Sequence, residues 1–256
     1  MRLGFIGTGA LTAAIVTGLK SVADNDAQVI VSPRNEEISA GLARSLPDVS
    51  VAADNQAVLD QCDMVMLAVR PQVAAEVLTP LTFRADHHVV SLIATVSSEQ
   101  VARIVAPATR ITLALPMPMS AYRQGATIIC PPDREVAALF GRVGAAIEVE
   151  STQEFQLLGG VTATFATFFT LQDTIHGWMT ERGVPSGKAR DYIAAIYKAL
   201  ASAPEKSPEL DFAHLAKEYA TRGGINEQVV RELIGRGVFG MVRDSLDNAH
   251  RRISGG

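Results

Sequence analysis

Apolar and polar positions follow two different rhythms along this chain. Up to about residue 150, short runs that are apolar throughout recur: RLGFIG, AQVIVS, DMVMLAV, HHVVSLI, RITLAL, GATIIC and AIEVE. A strand with one wet face would alternate, so these runs predict strands covered on both faces, as in a parallel sheet. Between them helical spacing recurs over 10–22, 36–46, 71–78 and 97–104. Strands alternating with helices predict βαβ units in a doubly wound sheet. After about residue 150 the strand signal stops. Helices are expected over 152–182, 186–203, 209–220, 226–234 and 238–252, with breaks at RGVPSG and SAPEKSPE where proline and glycine punctuate. The expected organisation is therefore an α/β domain over 1–150 and an all-α domain over 151–256. The segment 152–182 is long for a globular helix and strongly apolar in its middle. Its surface must be covered by more than its own domain, so a dimerisation domain is expected, forming a homodimer or a higher homo-oligomer.

Composition changes this picture only by exclusion. A formal net charge of −4, with no basic cluster beyond Arg251 and Arg252, argues against a nucleic-acid partner. Two cysteines, Cys62 and Cys130, offer neither a disulfide framework nor a CxxC metal site. The longest apolar run, LLGGVTATFATFFTL, carries four threonines and falls short of the roughly 20 residues of a membrane span. No signal peptide is read in MRLGFIG, and a cytoplasmic, reducing setting is expected.

The first candidate chemistry lies in RLGFIGTGALTAAIVTGL, where Gly7, Thr8 and Gly9 follow a strand and open a helix. In a Rossmann-like βαβ unit the first glycine allows the tight turn and the second admits a pyrophosphate close to the backbone. The helix N-terminus then favours the anion. The third glycine of the fingerprint is replaced by Thr12, so the helix is expected slightly farther from the sheet. After the second strand, an acid would suit the ribose of NAD. The chain instead has Ser32 and Arg34, a hydroxyl and a guanidinium suited to a 2′-phosphate, so NADP is the expected cofactor. The competing reading makes Arg34 a solvated residue beside Glu36 and Glu37.

The glycine turn, DMVMLAVRPQV, HHVVSLIATVS, LPMPMSAYRQGATII and ATRGGINEQ stand here in an order that resembles the pyrroline-5-carboxylate reductase family, over nearly the whole length. The resemblance implies an NADP-binding domain, an intertwined helical dimer and NADPH-dependent reduction of a cyclic imine to proline. It implies pyrophosphate contacts at Gly7, Thr8, Gly9, Ala10 and Leu11, 2′-phosphate contacts at Ser32 and Arg34, and an adenosine-side contact at Asn55. Ala68, Val69, Arg70 and Pro71, with Ala94 and Thr95, would line the nicotinamide end. The chain departs from the family at Arg70 (usually lysine), at Met117 (usually asparagine), at Val161 to Ala166, and at Asn226 (usually threonine). Substrate contacts are implied at Gly223, Gly224, Ile225, Asn226 and Met117, with Asn226 in the place that faces the imine.

Two adjacent glycines inside a helical region each destabilise a helix by about 1 kcal/mol relative to alanine, so Gly223 and Gly224 mark a special turn. They would break the preceding helix and free the N–H groups of the next to meet an acid group, with Asn226 as a possible N-cap. The plainer alternative is a helix C-cap followed by a capped helix. Reduction of an iminium needs orientation more than a shifted acid or base. A β-hydroxyacid dehydrogenase would want a proton acceptor such as lysine, and none stands between Gln153 and Thr180. Only Asp173 and His176 titrate well inside that segment, and His176 is read as a packing residue. His87 and His88 are expected in a loop, and Asp133, Arg134 and Glu135 as solvated first-turn charges. Phe165, Phe168, Phe169 and Trp178 read as core or dimer contacts. No metal-ligand or Ser/His/Asp constellation stands out. Two rivals remain, an imine or keto-acid reductase of the same fold and a non-catalytic NADP-binding protein.

Overall fold

The computed structural model describes residues 2–23, 27–93 and 96–253. The chain divides into two compact units, Met1–Gly159 and Gly160–Gly256.

In the first unit the apolar runs form an eight-stranded sheet of β1 (Arg2–Ile6), β2 (Gln28–Val31), β3 (Val49–Val51), β4 (Met64–Leu67), β5 (His88–Ser91), β6 (Arg110–Leu115), β7 (Ala126–Cys130) and β8 (Ala145–Glu148). Their order is β3-β2-β1-β4-β5-β6-β7-β8. Neighbours run parallel up to β6, with Gly4 of β1 facing Ile30 of β2 and Val65 of β4. Successive side chains point to opposite faces. Leu3, Phe5, Val29, Val31, Met64 and Met66 enter one core cluster, while Ile6, Ile30, Val65 and Leu67 enter the other. That two-sided burial explains why the strands read as unbroken apolar runs. Helices α1 (Ala10–Lys20), α2 (Glu36–Ser45), α3 (Asn55–Gln61), α4 (Ala74–Leu78), α5 (Ser98–Val105) and α6 (Arg134–Phe140) accompany the sheet. In α1 the residues Thr12, Ile15, Val16 and Leu19 fall at helical spacing and are buried.

Three expectations are corrected here. The sheet is not wholly parallel, because β7 runs antiparallel to β6 and β8 follows β7. The link from β6 to β7 contains only the 3₁₀ turn Pro118–Tyr122, too short for the crossover a parallel partner needs. His87 lies in the loop before β5 as expected, but His88 does not. Both are buried, and His88 is the first residue of β5. The long helix 152–182 is broken into α7 (Thr152–Gly160), the 3₁₀ turn Val161–Thr164 and α8 (Phe165–Thr180). The β-branched Val161 and Thr162 follow two glycines there, and the Thr164 hydroxyl donates to the Val161 carbonyl at 2.7 Å. A side chain competing for a main-chain acceptor favours the tighter turn. Helix α7 contributes Phe155 to the core around Ile128 and Val149, which belongs to the sheet unit.

The second unit continues from α8 through α9 (Ser186–Ala201), α10 (Ala203–Lys206), α11 (Phe212–Tyr219), α12 (Ile225–Gly235) and α13 (Val238–Ile253). Phe168 of α8 meets Tyr197 of α9 edge-on, with ring centroids 6.0 Å apart. The His176 Nε2 lies 3.1 Å from the Ser186 hydroxyl, the packing contact expected of it. Helices α8 to α13 bury few side chains: Ala189, Ile193 and Leu215 are covered, while Phe169 and Trp178 are 66% and 57% exposed.

Candidate functional site

The strand order reverses between β2-β1 and β4-β5, and the C-terminal ends of those strands frame the crevice where open α/β sheets bind ligands. Gly7 follows β1 with φ +100°, a left-handed conformation that side chains disfavour. A Cβ there would also lie 2.5 Å from the Ala68 carbonyl oxygen, so β1 and β4 approach too closely for any other residue. Gly9 is the N-cap of α1, and nothing stands within 4 Å of where its Cβ would be. The first turn of α1 contains no acidic residue. An open helix N-terminus with unpaired N–H groups and no anion of its own fits a pyrophosphate.

The turn is locked from beneath by hydroxyls. Thr12, where the fingerprint has glycine, donates to the Gly7 carbonyl at 2.6 Å and is 1% exposed. The Thr8 hydroxyl donates to the Ser32 carbonyl at 2.7 Å, and the Ser32 hydroxyl accepts from the Gly7 N–H at 3.0 Å. Thr8 and Ser32 are therefore both buried. Ser32 as a 2′-phosphate ligand is corrected by this geometry: its hydroxyl shapes the glycine turn and does not face the crevice. Thr8 has only its main chain to offer an anion. Arg34 stands outside this network, exposed beside Asn35, which caps α2 with φ 68°. Asn55 opens α3 behind its N-cap Asp54, whose carboxylate accepts from the Ala57 N–H at 2.7 Å.

After β4, the Ala68 N–H donates to the Ile6 carbonyl at 2.8 Å, extending the pairing one residue past the strand. Val69 turns its side chain into the core, Arg70 is exposed, and Pro71 begins the 3₁₀ turn Pro71–Val73. Ala94 and Thr95 lie outside the described residues. Met117 is half-buried before the turn Pro118–Tyr122, and its carbonyl accepts from the Ser120 N–H at 3.0 Å. That turn sits on α1 at Gly18, where a Cβ would come 2.0 Å from the Ser120 carbonyl oxygen.

In the second unit Gly223 takes φ +76°, beyond the end of α11, and Gly224 is the N-cap of α12. Asn226 as N-cap is thus corrected. It is the second residue of the helix, and its Nδ2 donates back to the Tyr219 carbonyl at 3.0 Å, tying α12 to the end of α11. Ile225 is 79% exposed. Sequence reasoning missed Glu227, whose carboxylate accepts from the Gly223 N–H at 2.6 Å. The signal was a glutamate three residues after the N-cap, the spacing of a capping box.

Several displaced pKa values belong to groups near the opposite ends of the strands. Burial, with the Asp63 charge adding to it, pushes the Cys62 thiol up to about 11. Burial likewise holds His87 and His88 below the ordinary histidine value. His88 lies 3.4 Å from Asp133, itself paired with Arg110 at 2.9 Å. Asp133 is thus a largely covered N-cap of α6, its side chain 12% exposed, and not the solvated charge expected. Among the described residues no group of three or more His, Cys, Asp or Glu could hold a metal, and no helix is long and apolar enough to cross a membrane.

Residues 2–95 match the family described as NADP oxidoreductase coenzyme F420-dependent. Pyrroline-5-carboxylate reductase of Haemophilus influenzae is 25% identical over 232 residues, covering 87% of this chain and 85% of its own. The structure of 1-pyrroline-5-carboxylate reductase from Streptococcus pyogenes superposes with a TM-score of 0.85 at 23% identity, covering 100% of this chain and 99% of its own. The Plasmodium falciparum pyrroline carboxylate reductase with NADP bound gives 0.83 at 15% identity, covering 99% and 97%.

Proposed function

We propose that this chain, a divergent relative of the pyrroline-5-carboxylate reductase family, is an NADPH-dependent oxidoreductase acting on a carbon–nitrogen double bond, converting 1-pyrroline-5-carboxylate to L-proline. The observation that carries the reading is the reach of the likeness. It continues for 232 residues, well past the dinucleotide-binding region and into the helical half that would hold a substrate.

A bound reduced nicotinamide dinucleotide would supply the hydride. The chain's own part is to hold and orient. The main chain of Gly7, Thr8 and Gly9 at the start of α1 would bind the pyrophosphate through N–H groups and the helix dipole, with Ala10 and Leu11 behind it. Arg34 would grip the 2′-phosphate with a forked guanidinium and so favour NADP over NAD. Asn55 would flank the adenosine. Ala68, the Val69 main chain, Arg70 and Pro71 would border the nicotinamide end. The Gly223-Gly224 turn and the N–H groups at the start of α12 would receive the substrate acid group, and Ile225 would offer apolar surface to the ring. With Asn226 Nδ2 engaged by Tyr219, its Oδ1 is the atom left to accept a hydrogen bond from the N–H of an iminium, which keeps its proton. An iminium carbon is already electrophilic, so positioning supplies most of what the reaction needs.

Steady-state assays with NADPH against pyrroline-5-carboxylate and a panel of small cyclic imines and keto acids test the reading. Turnover of pyrroline-5-carboxylate with proline as product is expected. Turnover only of other members of the panel would move the activity to a related reductase. Tight NADPH binding with no turnover would make the chain a dinucleotide-binding protein without catalysis.

A further inference from the structure

The two helix N-termini assigned to anions differ in one respect. The start of α1 has no acid in its first turn, whereas α12 brings its own. The half-buried Glu227 reaches back over the turn, and its carboxylate accepts from the Gly223 N–H at 2.6 Å. A Cβ on Gly223 would meet no atom beyond its chain neighbours within 4 Å, so the turn is open on that side. The next N–H, of Gly224, is spent on the Thr221 carbonyl at 2.8 Å.

We propose that Glu227 is a specificity-determining residue, an internal carboxylate that occupies the Gly223 N–H and must be displaced by the acid group of a substrate. The proposal rests on the reading above, in which the Gly223 turn and the start of α12 receive that acid group. Two carboxylates cannot share one donor, and like charges a few ångströms apart repel each other. An imine bearing an acid must therefore swing Glu227 away, while the same ring without the acid has no reason to. Glu227 thereby weakens binding of acid-bearing imines selectively and leaves the chemical step alone. A glutamate that served only as a helix cap would affect both imines alike.

The test compares wild type with Glu227→Gln and Glu227→Ala at saturating NADPH, using pyrroline-5-carboxylate and 1-pyrroline, the same ring without its acid. Glutamine can still accept from Gly223 but brings no charge. The expectation is that both variants lower KM for pyrroline-5-carboxylate by about tenfold, the scale of one charge-assisted hydrogen bond, with kcat nearly unchanged. KM for 1-pyrroline should stay where it was. If wild type reduces pyrroline-5-carboxylate but the variants leave its KM unchanged or raise it, or shift both imines together, the gating role is overturned and the reductase reading stands. If no form of the protein reduces either imine, the reductase reading fails and this inference falls with it.

Discussion

Arg34 and Ser32 stand two residues apart after β2, yet only one side chain faces outward. The Ser32 hydroxyl accepts the Gly7 N–H and lies in the core, while Arg34 is exposed. Under the proposed function, discrimination of NADPH from NADH would fall to a single guanidinium. Replacing it, as in Arg34→Ala, should raise KM for NADPH by about tenfold to a hundredfold, the range of one or two charge-assisted hydrogen bonds. KM for NADH should scarcely move. Parallel kinetics with the two cofactors check this, and equal losses would mean that Arg34 does not touch the phosphate. The inward turn of Ser32 has a physical cause: the partly buried Gly7 N–H needs an acceptor, and the Ser32 hydroxyl satisfies it.

Between elements, the tie most sensitive to conditions lies where β5, β6 and α6 meet. The His88 Nε2 is 3.3 Å from the Thr112 hydroxyl and 3.4 Å from Asp133, and Arg110 pairs with both Asp133 and Glu135. Burial lowers the His88 pKa from its ordinary 6.5 despite the neighbouring carboxylates, and His87 is lowered for the same reason. Burial by itself would raise the Asp133 pKa, but the Val136 N–H and the Arg110 guanidinium outweigh it, and the net direction is down. Both kinds of shift have the same sign in stability. A base whose folded pKa is depressed leaves the folded state holding fewer protons than the unfolded one, so stability is lost as pH falls below 6.5. An acid with a depressed folded pKa adds a further loss below 3.8. Thermal unfolding should show a falling melting temperature between about pH 8 and 5.5, the window of histidine titration. In His88→Leu the fall over that window should be smaller, with the remainder due to His87. An unchanged slope would remove His88 from the account.

At the scale of the whole molecule, the two units differ in how much they bury. The sheet unit has a core on each face of its sheet, whereas the helical unit leaves Phe169, Trp178, Tyr192 and Phe212 more than half exposed. A single chain rarely leaves so many large apolar side chains in water on one unit, and a second copy covering the helical unit is proposed. Under that proposal Phe169→Glu would place a charge in the interface. It should shift the species seen by sedimentation or light scattering from dimer toward monomer and lower the melting temperature by several degrees, for a loss of about 1–3 kcal/mol. A monomeric wild type would dismiss the proposal.

Two features followed from residue order alone: strands covered on both faces and a glycine turn at the head of the first helix. Both are local, the first because an unbroken apolar run records burial on two sides, the second because only glycine tolerates the conformation and the closeness at Gly7. The short β3, with Val49 buried and Ser50 and Val51 exposed, left no such mark. Tertiary structure decided what depends on a distant partner. The direction of β7 follows from a link too short to cross over, the burial of His87 and His88 from strands packed beside them, and the inward hydroxyl of Ser32 from a donor 25 residues away. The filling of the Gly223 turn by Glu227 depended on side-chain reach around a backbone bend. Local pattern records how much of a residue is covered; which groups satisfy its hydrogen bonds is settled only when separate segments meet.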